Sequence, residues 1–209
     1  MRANHDPLSF PRLGMKLPRE VEIKLKVADP RSLKKRLNEC GFTVVGRRYF
    51  ESNTVFDFRD SRLRRSNSLL RLRTEGNHHI LTYKGPPHAP STYKIRTEFE
   101  TEIKDIDAIQ QIFEALGLRP TFRYEKFRTV FAEKDRGKSK AAPLLVYDET
   151  PVGYFIELEG PARWIDRTAR RLGYLQEDYI TASYAALYFD YCKENRVKPG
   201  NMVFSTDKS

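Results

Sequence analysis

Between Glu20 and Val27 the chain reads Glu-Val-Glu-Ile-Lys-Leu-Lys-Val, a strict alternation of charged and aliphatic residues. Side chains of a strand point alternately to its two faces. The segment is therefore a strand with Val21, Ile23, Leu25 and Val27 on an apolar face and Glu20, Glu22, Lys24 and Lys26 on the other. Taken alone, it is compatible with an ordinary amphipathic strand whose charged face is wet. The order of charges is also the one a metal-bound polyanion requires. Hard carboxylate oxygens take Mg2+ or Mn2+, and ammonium or guanidinium groups neutralise the remaining phosphate oxygens.

The pattern recurs along the chain. Ile95 to Glu102 sets Arg96, Glu98, Glu100 and Glu102 against Ile95 and Phe99, and Phe155 to Glu159 sets Glu157 and Glu159 against Ile156 and Leu158. Leu70-Arg71-Leu72-Arg73 opposes two guanidiniums to two leucines, and Lys126 and Arg128 share parity between Tyr124 and Val130. Gathering charge of both signs on one sheet face is costly unless the groups meet a common ligand, or each other, in water. A closed sheet resolves the conflict by turning its charges inward and covering its apolar exterior with helices.

The order of elements supports such a sheet. Asp29-Pro30 opens a helix that places Leu33 and Leu37 on one face and ends at Gly41. Strands are expected from about residue 42 to 58 and 69 to 83, and Gly85-Pro86-Pro87-His88-Ala89-Pro90 reads as an exposed loop. Asp105 or Asp107 opens a second helix closed by Gly117, residues 133–142 form a charged turn, and helices follow at about 161–172 and 180–194. In the last helix Tyr184, Leu187, Tyr188 and Tyr191 recur at helical spacing and are read as packing residues. Residues 1–18 are expected to be a flexible leader, with Met15 a second candidate start, residues 19–194 one domain, and residues 195–209 a disordered tail. Grouped strands without a βαβ rhythm argue for an α+β protein built on an antiparallel barrel.

A chain of 209 residues with 39% hydrophobic content suits one globular domain. No apolar stretch approaches the roughly 18 to 20 residues that cross a bilayer, and the N-terminus lacks the apolar segment of a signal peptide. Cys40 and Cys192 have neither C-x-x-C spacing nor histidine partners and read as reduced thiols of a cytoplasmic protein. The net charge of +10 and the cluster Arg59, Arg62, Arg64 and Arg65 admit nucleic acid as a partner. Glutamates interleaved with the bases at strand spacing repel a duplex, and the cluster reads better as a charged solvated loop.

These residues resemble the triphosphate tunnel metalloenzymes, or CYTH superfamily. Glu20, Glu22 and Lys24 match its E-x-E-x-K signature. There follow, in the family's order, Asn53-Thr54-Val55-Phe56-Asp57, Leu70-Arg71-Leu72-Arg73, Leu81 to Pro86, the Arg96-x-Glu98-x-Glu100 strand, Glu125-Lys126-Phe127-Arg128, Asp148 with Gly153, Glu157-Leu158-Glu159 and Ser183-Tyr184. The resemblance spans roughly residues 20 to 190 and implies a closed eight-stranded antiparallel β-barrel, the triphosphate tunnel, with helices packed outside.

It further implies that Glu20, Glu22, Glu157 and Glu159, helped by Asp148, hold one or two divalent cations, Mg2+ or Mn2+. Lys24, Lys26, Arg71, Arg73, Lys84, Arg96, Lys126 and Arg128 would form the basic wall that grips a triphosphate, with Glu98 and Glu100 serving either the metal or the orientation of the bases. The implied partner is a nucleoside or inorganic triphosphate, with no membrane and nucleic acid in no principal part, and a homodimer is left open. Local flavour is similar to the class IV adenylate cyclases, which convert ATP to cyclic AMP and pyrophosphate. A tripolyphosphatase or organic triphosphatase is the alternative, and a polyphosphate- or nucleotide-binding module without turnover the third. One departure stands out: many members carry a tyrosine where this chain has Val55. In the thiamine triphosphatases that tyrosine is linked with the lysine matching Lys84 in activating water.

Overall fold

In the computed structural model the described residues are 19–88, 91–134 and 143–205. The expected leader, most of the charged turn after Glu133 and the last four residues of the tail lie outside them. In chain order the elements are β1 (Arg19–Val27), α1 (Pro30–Glu39), β2 (Phe42–Val44), β3 (Tyr49–Phe58), α2 (Arg62–Arg65), β4 (Leu69–Glu75), β5 (His78–Pro87) and β6 (Lys94–Ile103). Then come α3 (Ile106–Ala115), β7 (Leu118–Glu133), β8 (Leu144–Thr150), β9 (Gly153–Glu159), α4 (Ala162–Arg171) and α5 (Tyr184–Glu194).

The strands close on themselves. The sheet order β7-β3-β4-β5-β6-β1-β9-β8 returns to β7, because this long strand pairs with β3 along one edge and with β8 along the other. Every ladder is antiparallel, so the result is an eight-stranded barrel, with β2 added beyond the end of β3 on the same edge of β7. Closure removes the unpaired edges that an open sheet of this size would expose.

The strands' apolar faces point outward for the most part; helices cover them over β1 and β9 and around Phe56, Leu72 and Leu118, while Phe50, Phe99 and Tyr154 stay exposed. Ile23, Leu25, Ile156 and Leu158 are fully buried beneath α1 and α4, against Leu33, Leu37, Trp164, Ile165 and Leu172. Burying each such side chain contributes roughly 2 kcal/mol. A second exterior cluster joins Phe56, Leu72 and Leu118 to Phe113 of α3. Local signals set the helix starts: Asp29 accepts from Arg31 N at 3.0 Å, and Asp105, rather than Asp107, accepts from Ala108 N at 2.9 Å. Gly41, at φ +76°, turns the chain out of α1 in a backbone conformation that β-carbons disfavour.

The third cluster lies inside. Phe122 and Tyr124 share the parity of Lys126, and Phe155 that of Glu157, so all three face inward, where they meet Tyr184 of α5 together with Met202. Helix α5 is thus seated across one end of the barrel.

Three expectations are corrected. The polar tail is not disordered over residues 196–205: Met202 N donates to Arg123 O at 3.0 Å, Glu125 N donates to Met202 O at 2.9 Å, and Met202 is fully buried. The part of β7 that β8 does not reach has free backbone groups, and one methionine anchors the segment that satisfies them. Strand β5 runs on through Gly85 to Pro87 instead of stopping in a loop; the ladder skips between Lys84 and Pro87, a bulge that accommodates residues without a free N–H. The arginine-rich loop contains the one-turn helix α2, whose Leu63 and Arg64 N–H groups both donate to Asp57 at 3.0 Å.

Candidate active site

Residues directly opposed in an antiparallel ladder share a face, and the register assembles the charged side chains inside the barrel. Glu22 lies opposite both Glu159 and Lys94, Lys24 opposite Glu157, and Glu20 opposite Arg96. Lys84 is opposite Glu98, Glu51 opposite Lys126, and Arg128 opposite Asp148. They enclose a cavity of about 300 Å3. Its basic lining is Lys24, Arg71, Arg73, Lys84, Lys94, Arg96, Lys126 and Arg128, and its acidic lining is Glu20, Glu22, Glu98, Glu100, Glu157 and Glu159. Tyr124 and Tyr184 complete the end nearest α5.

At that end the cations are held from behind. Asp148, fully buried, accepts from Lys126 Nζ at 2.9 Å, from Arg128 Nε and Nη2 each at 2.7 Å, and from the Tyr184 hydroxyl at 2.7 Å. Arg128 also donates to Glu157. The Tyr184 ring stands 5.2 Å from Lys24 Nζ and 5.1 Å from Lys126 Nζ, within cation–π range of both. Burial first, then the charges of Asp148 and Glu157, push its phenol pKa well above the ordinary value, so it stays a donor. Glu51 lies deeper still, with carboxylate oxygens 3.3 Å from Lys126 Nζ and 3.5 Å from Arg128 Nε. Arg71 donates to the Tyr124 hydroxyl and to Thr82 Oγ1, both at 3.1 Å. The Nε atoms of Arg71 and Arg96 are buried without a hydrogen-bond partner.

The other carboxylates crowd one another. Lys84 Nζ sits 2.6 Å from Glu20 and 3.0 Å from Glu98, and Lys94 Nζ sits 2.6 Å from Glu22. Burial first, then the charge of Glu22, pushes Glu20 up to about 9 in spite of Lys84. Burial also carries Glu159 up to about 7, with Glu22, Glu98 and Glu157 adding to it against Lys84. Burial acts on Glu22 in the same sense, but Lys24, Lys94 and Lys84 outweigh it and hold that carboxyl well below the usual range. For Lys94, burial and then Lys24 lower the pKa to about 8 in spite of Glu22.

Glu20 and Glu159, driven upward by burial and neighbouring charge, are oxygen donors that a dication can take over from protons, and Glu22 and Glu157, held below the usual range by the ammonium and guanidinium groups around them, are carboxylates already charged for it. Glu20, Glu22, Glu157 and Glu159 therefore fit a hard divalent cation. As they stand, no three Asp, Glu, His or Cys side chains among the described residues converge on one point to ligate it.

Nearly all the residues singled out in the sequence are brought together here. Lys26 is not: it shares the inward parity but is exposed beyond the plug formed by Phe155 and α5, and lies outside the cavity lining. Asp148 stands behind the wall rather than in it. Three participants were missed. Lys94 has the parity of Arg96 and Glu98, so extending the alternation by one step would have found it. Glu51 has the parity of Asn53 on β3, but β3 carries no basic residue to alternate with it and mark its face. Tyr184 was read as packing, which it also does.

Comparison with known proteins agrees with this architecture. A family model described as the CYTH domain matches residues 18–184. A protein of Methanocaldococcus jannaschii, provisionally named an adenylate cyclase, is 31% identical over 140 residues, which cover 67% of this chain and 75% of the relative. A solved structure from Vibrio parahaemolyticus, also provisionally described as an adenylate cyclase, has a TM-score of 0.68 at 19% identity, over 82% of this chain and 98% of that one. A Hippeastrum protein, named in the same provisional way and described as having a dominant triphosphatase activity, has a TM-score of 0.54 at 19% identity, over 82% of this chain and 95% of that one. No helix among the described residues is long and apolar enough to cross a membrane.

Proposed function

The chain belongs to the CYTH domain family, and from that premise we propose that it is a divalent-metal-dependent enzyme acting on a triphosphate held inside its barrel. The observation that carries the proposal is the cavity itself, walled by guanidinium and ammonium groups, with Arg71 Nε and Arg96 Nε lacking acceptors. Unpaired buried donors of this kind call for oxyanions.

Glu20, Glu22, Glu157 and Glu159 would hold the cation, Mg2+ or Mn2+, which when bound polarises the attacked phosphorus and offsets charge on the leaving oxygen. The protein's own part is positioning and neutralisation. Lys126 and Arg128, oriented by Asp148 and Tyr184, grip phosphate oxygens at the closed end. Lys84, Arg96 and Arg71 flank the chain, while Glu98 and Glu100 orient Lys84 and Arg73. We assign Asp148 to holding the cations rather than the metal, because four donors already occupy it, and we leave Lys26 out of the wall.

The first reading of the reaction is that of a class IV adenylate cyclase: a ribose 3′-hydroxyl attacks the α-phosphorus of ATP, giving cyclic AMP and pyrophosphate. The name of the Methanocaldococcus jannaschii relative supports it. So does Val55, which packs against the Phe122–Tyr124 cluster and offers Lys84 no tyrosine partner for activating water. A second reading, hydrolysis of tripolyphosphate or an organic triphosphate, is favoured by a lining so charged that only Leu69, Leu144 and two tyrosines could meet an adenine ring. Cytoplasmic residence follows from either substrate.

Purified protein incubated with Mg2+ or Mn2+ and ATP, or separately tripolyphosphate, and resolved by chromatography distinguishes the readings. Cyclic AMP establishes the cyclase and orthophosphate the triphosphatase. Binding without any product would reduce the chain to a binding module and overturn the enzymatic proposal.

A further inference from the structure

Three ammonium groups sit on the carboxylates proposed for the metal, and they are not equivalent. Lys24 Nζ bridges Glu22 at 3.3 Å and Glu157 at 3.2 Å. Lys84 Nζ bridges Glu20 at 2.6 Å and Glu98 at 3.0 Å. Withdrawing Lys84 would leave both Glu20 and Glu98 without an ion-pair partner among the described residues, and withdrawing Lys24 would break two contacts at once, although Glu22 would keep Lys94 and Glu157 would keep Arg128. Lys94 contacts one carboxylate alone, Glu22, at 2.6 Å, and Glu22 keeps Lys24 if Lys94 departs. Lys94 is also the first residue of β6, where its side chain has most freedom to swing, whereas Lys24 lies mid-strand in β1.

We propose that Lys94 is a built-in counter-ion: its ammonium group holds Glu22 until a divalent cation takes its place, whereupon it turns to the phosphate oxygens that arrive with the metal. The proposal rests on the metal reading above and names the residue that regulates that site. Glu22 and Glu159 face each other directly across β1 and β9, two carboxylates that repel unless a cation stands between or beside them. One ammonium at Glu22 relieves that repulsion in the free protein. It also occupies Glu22 Oε1, an oxygen that a divalent cation would otherwise take. A free cation must displace the lysine and leave its charge stranded in the cavity, near Lys24 and Arg96. A cation that enters with a triphosphate supplies the displaced lysine with new partners. Metal and triphosphate should therefore bind more tightly together than apart.

The test is a titration of the nucleotide-free protein with Mn2+, followed by the resonance signal of the free ion and by calorimetry. Lys94→Met, which keeps the stem and removes the charge, is expected to bind Mn2+ ~10-fold more tightly than the wild type, the scale on which one adjacent charge biases a carboxylate. Lys94→Arg, which keeps the charge and grips a carboxylate through two nitrogens, is expected to bind Mn2+ no more tightly than the wild type. Adding tripolyphosphate should tighten Mn2+ binding more in the wild type than in Lys94→Met. Equal or weaker Mn2+ binding by Lys94→Met, or tightening by Lys94→Arg, overturns the proposal. If in that case Glu22→Gln still loses Mn2+, the metal reading stands while Lys94 drops out. If no form binds Mn2+, both fall.

Discussion

Glu51, like Asp148, is fully buried beneath the cationic end of the cavity, and replacing it with glutamine isolates what a single interior charge contributes. Neither of its carboxylate oxygens makes a hydrogen bond; its stabilisation is Coulombic, from Lys126 at 3.3 Å and Arg128 at 3.5 Å. Burial alone would raise its pKa, but Lys126, Arg128, Arg73 and Arg71 reverse the sign and bring it from 4.5 down to about 2. At about 1.4 kcal/mol per pH unit this corresponds to about 3 kcal/mol at neutral pH. Because the folded-state value is depressed, the contribution is fully present above pH 4.5 and is lost as pH falls toward 2, with roughly half remaining near pH 3.

Glu51→Gln should therefore cost about 3 kcal/mol at pH 7, and the gap to the wild type should narrow below pH 4.5. Urea is the denaturant of choice, since an ionic one would screen the effect. The single tryptophan, Trp164, is buried between α4 and the sheet and reports unfolding by fluorescence. A glutamine variant within about 0.5 kcal/mol of the wild type at pH 7, or a gap that stays constant down to pH 3, would refute the electrostatic account. Asp148 and Glu157 would then be neutralising the two cations.

Glu22→Gln and Glu159→Gln should each abolish turnover; the second should not lower the urea midpoint, whereas the first should lower it, because the ammonium groups around Glu22 hold its carboxyl well below the usual range, and near-normal kcat in either would remove it from the metal group. Arg96→Ala and Arg128→Ala should separate binding from stability. The first is expected to raise KM severalfold with little loss of stability, because Arg96 Nε has no protein acceptor to orphan. The second should also destabilise by about 3 to 5 kcal/mol by stripping the buried Asp148 of its bidentate partner. Unchanged KM in the first, or unchanged unfolding in the second, contradicts those assignments. Met202→Ala should lower stability by about 2 to 4 kcal/mol, the usual consequence of emptying a fully buried methionine site; a negligible change would show that the segment after α5 is not anchored there.

The barrel was legible because β1, β6 and β9 repeat one pattern, and a period of two assigns each residue to a face without further information. Once closure is assumed, inward charge follows, and Glu20, Glu22, Lys24, Arg96, Glu157 and Glu159 meet as expected. What escaped depends on where strands end and what lies across them. Lys26 has the right parity, but Phe155 and α5 intervene, and alternation carries no record of depth along a barrel. Asp148 and Glu51 have inward parity too, yet whether an acid faces ligand or props up a cation is decided by side chains on neighbouring strands. The course of residues 196–205 hinges on a single buried methionine and a stretch of β7 left free by the stagger of β8, which a composition average cannot detect.

With α5 seated over Phe122, Tyr124 and Phe155, the barrel is a blind alley rather than a thoroughfare. Under the proposed function a triphosphate would enter, and its products leave, through the same opening, so pyrophosphate or orthophosphate would compete with the next substrate. On that reading a long anionic polymer would not be threaded through and cut in its middle, because only a free terminus would reach Lys126 and Arg128. The helix that stoppers the barrel would thereby act as a ruler, selecting chains by having an end.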